Sequence, residues 1–177
     1  MGRPPTLDPE GVLRMASAID PPSLAEVGSA LHNPGALRWA ASVEVESPRP
    51  GFAETARRAV VGGAQPASAA VLLVGEDGQY AALWVSADGE PARFEYSLGA
   101  ERGAMESLEP ASGRERASLD VDASGLLSAR LAGRAVGQPV PLGADWLRAF
   151  GGRAQPALLC FSGDCGFGNV ERTPGFR

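Results

Sequence analysis

The sequence predicts an all-β chain, an antiparallel β-sandwich carrying an N-terminal arm and short helices. Three observations lead there. Apolar and polar residues alternate over several segments, as in Leu37-Arg38-Trp39-Ala40-Ala41-Ser42-Val43-Glu44-Val45-Glu46. Turn dipeptides such as Asp77-Gly78 and Asp88-Gly89 break the chain at short intervals. Helical stretches are few and short, with prolines and glycines between them.

At 177 residues the chain has the length of one domain, and ~68–70% of its unfolded surface can be buried at that size. The 44% apolar content argues against disorder along the whole chain. No apolar run reaches the ~18–20 residues of a transmembrane helix, so membrane insertion is not expected. A net charge of −5 and a pI near 4.9 argue against broad nucleic-acid binding, which needs a field of basic charge. Every basic side chain is Arg and Lys is absent, a pattern that reads as codon bias in a GC-rich genome.

Residues 1–35 form the expected arm. Pro4, Pro5, Pro9, Pro21, Pro22 and Pro34 leave room for one short helix, Ser23–Leu31, where Ser23 and Glu26 have capping-box spacing. Residues 36–172 make up the sandwich and 173–177 a C-terminal tail. The first sandwich strand alternates from Leu37 to Glu46 and ends before Pro48 and Pro50. A helical turn fits Gly51–Val61, around Phe52 and Ala56, before Gly62-Gly63 stops it.

The two Asp-Gly dipeptides then define a three-stranded meander over Ala69–Ser97. Centring each in a two-residue loop sets Val74 against Ala81 and Leu72 against Leu83, then Leu83 against Phe94 and Ala81 against Tyr96. Leu72, Ala81, Leu83, Phe94 and Tyr96 thus point inward together. The opposite face carries Val71, Leu73, Tyr80, Trp84 and Arg93, with Trp84 directly across from Arg93. It is unusually apolar for a solvated face.

A short helix fits Glu101–Leu108. Leu119 and Val121 alternate with Asp120 and Asp122 up to the Ala123-Ser124-Gly125 turn, and Leu127, Ala129 and Leu131 lead to a tight turn at Ala132-Gly133. Gly143–Phe150 suits a short helix closed by Gly151-Gly152. Trp39 and Trp146 are read as core or helix-docking residues. Near the end, a turn at Ser162-Gly163 sets Phe161 against Asp164 and Cys160 against Cys165, spacing that suits a cross-strand disulfide. The alternative is two buried thiols in a cytosolic protein.

Three segments resemble concanavalin-A-like jelly rolls of the laminin-G-like kind, over roughly residues 37–172. Asp77–Val85 looks like that fold's central hairpin strand. Leu127–Gly137 looks like its strand–turn–strand unit, with Ala132 where the family usually has Asp. Cys165-Gly166-Phe167-Gly168-Asn169-Val170 looks like the closing strand, with Gly168 in place of an Asp. The resemblance implies carbohydrate or protein ligands, often with calcium at the rim. The departures at Ala132 and Gly168 argue against carrying over the calcium ligands.

Catalysis on such sandwiches needs two carboxylates about 5–10 Å apart. In the laminarinase-like branch they follow Glu-x-Asp-x-x-Glu, and neither Glu44/Glu46 nor Asp120/Asp122 completes that pattern. Calcium needs six to eight oxygens; Glu76, Asp77, Asp88 and Asp164 are turn acids, which commonly bond the local backbone. His32, the single histidine, has no Gly-x-Ser-x-Gly partner and reads as a loop residue. No cofactor is expected, calcium being the one candidate.

The strongest candidate site is therefore Tyr80, Trp84 and Arg93, with Arg stacked on Trp and presenting donors. Either the arm covers this surface or it binds something. The expected function is a non-catalytic module for a glycan or protein partner. A structural accessory subunit docking through its arm and outer face is the alternative, and a glycoside-active enzyme the third reading. The cysteines suggest an extracytoplasmic setting, while the N-terminus lacks the apolar core of a signal peptide and leaves a cytoplasmic one open.

Overall fold

The computed structural model describes residues 3–16, 23–26, 31–32, 39–46, 48–50, 67–87 and 89–174. The first strands are short: β1 (Arg3–Leu7), β2 (Leu13–Ala16), β3 (Ser23–Glu26), β4 (Leu31–His32), β5 (Trp39–Glu46) and β6 (Arg49–Pro50). The meander follows as β7 (Ser68–Val74), β8 (Tyr80–Ser86) and β9 (Pro91–Leu98), extended by β10 (Glu101–Pro110). Next come β11 (Arg114–Val121), β12 (Leu126–Leu131), β13 (Arg134–Ala135) and β14 (Val140–Pro141). A 3₁₀ helix at Trp146–Phe150 precedes β15 (Arg153–Phe161) and β16 (Gly163–Pro174).

All pairings are antiparallel and sort into two sheets. Sheet one runs β1-β2-β16-β5-β11-β12-β13, and sheet two runs β10-β9-β8-β7-β15-β3. Their inner faces enclose one core, built from Val43, Val45, Leu119 and Leu127 on one side and Val71, Leu73, Leu83 and Phe94 on the other. Alternation explains most of it: β5 buries Val43 and Val45 while Ser42, Glu44 and Glu46 point away. The 3₁₀ helix closes one end, with Trp146 edge-on to Phe150 at 6.1 Å and both buried. Gly151, at φ 76, caps it as the Gly-Gly signal implied.

The described parts of the arm are strands inside the sandwich. β1 and β2 form a hairpin that joins β16, while β3 and β4 pair with β15. The expected helix from Ser23 is thus corrected: Ser23–Glu26 is extended, opposite Cys160 through Ala157. The edge of β15 offers unpaired amides and carbonyls, and pairing with them outweighs a local capping signal. His32 likewise lies in a strand, opposite Arg153, and not in a loop. Residues 51–61 and the side chain of Trp39 lie outside the described residues.

A second helix expectation also fails. Residues 101–110 form β10, because the two-residue turn at Gly99-Ala100, with Gly99 at φ 60, folds the chain straight back onto β9. Glu101 then faces Leu98 and Met105 faces Phe94.

The β8–β9 register is the expected one, with Leu83 opposite Phe94 and Ala81 opposite Tyr96. Strand β7 is displaced by one residue. Leu73, not Val74, faces Ala81, and Val71, not Leu72, faces Leu83. Asp77 and Gly78 do occupy the turn, at φ 52 and φ 75, with the Gln79 amide donating to the Glu76 carbonyl. However, the Gly75 amide donates to the Gln79 carbonyl, so Gly75 and Glu76 together oppose Gln79 in a β-bulge. A one-residue shift exchanges the two faces of a strand, so Val71 and Leu73 enter the core and Leu72 and Val74 turn outward.

Packing against the 3₁₀ helix explains the bulge. The Glu76 amide donates to the Phe150 carbonyl at 2.9 Å, and a Cβ on Gly75 would stand 2.4 Å from that oxygen. Only glycine allows the approach.

Cys160 and Cys165 form a disulfide with Cα atoms 5.8 Å apart. Its setting differs from the expected hairpin. Cys160 sits in sheet two opposite Ala69, whereas Cys165 sits in sheet one opposite Met15. The chain passes between the layers at buried Ser162, φ 58, so the bond joins the two sheets.

Two substitutions test these backbone constraints by urea denaturation. Gly75→Ala is expected to lower stability by about 1–3 kcal/mol through the clash with Phe150. At the β12–β13 turn, Ala132 holds φ 50 and Gly133 φ 78, the geometry that favours Asn-Gly. Ala132→Asn should raise stability by about 0.5–1 kcal/mol, since Ala alone in the left-handed region is strained.

Candidate functional site

The outer face of sheet two brings the three sequence-predicted residues together. Successive residues of β8 alternate, so Ala81, Leu83 and Val85 enter the core while Tyr80, Ala82 and Trp84 project outward. Register extends these into rows. Trp84 lies between Arg93 and Ala70, Ala82 between Glu95 and Leu72, and Tyr80 between Ser97 and Val74. Ala157 and Leu159 continue the rows on β15; Arg102, Ala104 and Glu106 continue them on β10.

The resulting surface has a low floor and two aromatic walls. Ala70, Leu72, Ala82 and Ala157 are buried beneath the half-buried Val74, Tyr80, Trp84 and Leu159. Tyr80 and Trp84, four residues apart on an extended strand, stand about 13 Å apart. The indole Nε1 of Trp84 is buried and, among the described residues, has no hydrogen-bond partner. Of the arm, Ser23–Glu26 lies beside β15 at the sheet's edge and not across this face.

Glu95 organises the polar side. Its Oε1 accepts a hydrogen bond from the Tyr80 hydroxyl at 2.7 Å, and its Oε2 stands 3.3 Å from the Arg93 guanidinium. Arg93, directly opposite Trp84, thus also forms an ion pair along β9. Burial, then the hydrogen bond and charge of Glu95, push the Tyr80 hydroxyl up to about 12. It therefore remains a neutral donor. Glu95 escaped the sequence reading although it shares a face with Arg93 by simple alternation; Arg102 escaped because its strand was read as a helix.

The carboxylate pairs lie elsewhere and are committed. Glu44 is on the outer face of sheet one, 2.9 Å from Arg114 Nε and 3.7 Å from Arg116. A hydrogen bond from Asn169, aided by both arginines, holds its carboxyl below the usual range. Glu46 pairs with Arg14, which also bonds Asp8 at 2.9 Å. Glu44, held ionised, is thus not poised to donate a proton near neutrality. Asp122 accepts from the amides of Ser124 and Leu126, and Asp8 does the same for Glu10 and Val12, so each acid builds an Asp-x-x-Gly turn. Among the described residues, no three His, Cys, Asp or Glu side chains gather closely enough to hold a metal ion. No helix among them is long and apolar enough to cross a membrane.

The raised Tyr80 value has a defined pH signature. An ordinary tyrosine ionises at about pH 10. Below that both folded and unfolded states keep the proton, and from about 10 to 12 the unfolded chain loses it first, so stability falls as pH rises. Alkaline absorbance titration should show a late tyrosinate step that Tyr80→Phe removes.

No protein-family model matches the chain, and no curated protein matches it in sequence. Solved structures do match. The carbohydrate-binding module CBM66 from Bacillus subtilis superposes with a TM-score of 0.64 at 11% identity, covering 96% of this chain and 90% of that one. An alginate lyase from Pseudomonas aeruginosa gives 0.62 at 13% identity, covering 96% and 85%. Domains LG4-5 of the mouse laminin alpha1 chain give 0.55 at 10% identity, covering 97% of this chain and 44% of that one. At such identities the likeness concerns architecture alone. The fold is a concanavalin-A-like jelly-roll sandwich.

Proposed function

We propose that the chain is a non-catalytic carbohydrate-binding module whose glycan platform is the outer face of sheet two. One observation carries the reading: Tyr80 and Trp84 flank a floor of small side chains, with Arg93 and Glu95 along the rim. Apolar faces of sugar rings stack on aromatic rings, while rim donors and acceptors meet the hydroxyls. The fold is shared with a carbohydrate-binding module, which supports the reading, and also with an enzyme, which does not discriminate. Against catalysis stand the ion-paired Glu44 and Glu46. An extracytoplasmic setting accords with the disulfide.

The structural-subunit reading uses the same face, where Val74 and Leu159 add apolar area beside the aromatic residues. Acrylamide quenching separates the two. Trp84 is isolated by subtracting the signal of Trp84→Phe, and the protein is titrated with a panel of neutral and acidic oligosaccharides. Protection of Trp84 by a glycan, with at least a tenfold loss of affinity in Trp84→Ala, is expected; such losses match removal of a central aromatic anchor. An accessible Trp84 that no glycan protects would favour the protein-docking reading.

A further inference from the structure

We infer that the platform ends in a subsite for an acidic sugar, with Arg102 as the group that recognises its carboxylate. The inference rests on the glycan-binding reading and deepens it. Beyond Tyr80, the surface sinks into an open hollow of about 490 Å³ lined by Tyr80, Glu95, Tyr96, Ser97, Arg102 and Gly103.

Three features give this hollow its chemistry. The Tyr80 side chain borders it from the outer face, while the Tyr96 ring turns toward the core and packs on Gly103, where a Cβ would stand 2.6 Å from the ring atoms. The single carboxylate in the lining, Glu95, is already occupied by the Tyr80 hydroxyl and the Arg93 guanidinium. Arg102 is exposed at the rim and, among the described residues, has no carboxylate partner. The hollow thus combines one aromatic wall, Tyr80, with a planar cation that has no carboxylate partner among the described residues. A guanidinium meets a carboxylate through two parallel hydrogen bonds, which a neutral sugar hydroxyl cannot reproduce. A hexuronate ring, apolar on its face and carboxylated at its edge, fits that combination.

The test compares tetragalacturonate, its methyl ester and cellotetraose by calorimetric titration of the full chain at one ionic strength. Wild type should bind the acid about tenfold or more tightly than the ester, the scale of a charge-assisted pair. Arg102→Gln should bring that ratio close to one while leaving ester affinity within about twofold, and an unchanged melting temperature would exclude misfolding. Equal affinity of wild type for acid and ester overturns the inference, as does a preference that survives Arg102→Gln. If a glycan binds through Trp84 without acid preference, the subsite falls and the platform stands. If the wild type binds none of the three, both fall.

Discussion

The close approach of Gly75 to the carbonyl of Phe150 sets the register on which the rest of the structure depends. It forces an extra residue into the strand leading to the Asp77-Gly78 turn, and that residue decides which side chains of β7 face inward. With the bulge, Val71 and Leu73 reach the core, and Ala70 and Leu72 lie beneath Trp84 and Tyr80. Without it, the same strand would present Val71 and Leu73 to the platform and send Leu72 inward. Core packing and the shape of the candidate site are consequences of one backbone contact.

The two outer faces have opposite characters. That of sheet one is laced with ion pairs, Arg14 to Glu46, Arg114 to Glu44 and Arg116 to Glu171. Gly166 and Gly168 leave β16 bare where Arg14 and Arg114 pass over it. Exposed pairs of this kind each contribute about 0–1 kcal/mol, so they mark a solvated face more than they hold the fold. Sheet two presents alanines, leucines and rings along much of its described outer surface, with most of the charge on β9 and β10 and Arg153 at the start of β15. That asymmetry, not the jelly roll itself, marks the outer face of sheet two as the candidate site.

Much of this was legible in the residue order, and the exceptions share a cause. Alternation in β5, β8, β11 and β12 is local and survives folding. The register of β8 against β9 is the one expected from the sequence, and it puts Tyr80, Trp84 and Arg93 on one face. What escaped depended on partners distant in sequence. The role of Gly75 appears only when Phe150 arrives, and the extended state of Ser23–Glu26 only when β15 offers an edge. Arg102 joined the site late because β10 carries little apolar pattern of its own; Leu108, for instance, is fully exposed. The pairing of the cysteines could be seen from spacing, but not that a layer change separates them.

That layer change gives the Cys160–Cys165 bond a mechanical character. Its ring spans few residues, so it contributes only about 2 kcal/mol by restricting the unfolded chain. Yet one sulfur belongs to each sheet, at the corner where the polypeptide crosses over. Sliding one layer past the other there must strain a covalent link. A protease nick anywhere from Phe161 to Asp164 would sever the backbone and still leave both halves tethered.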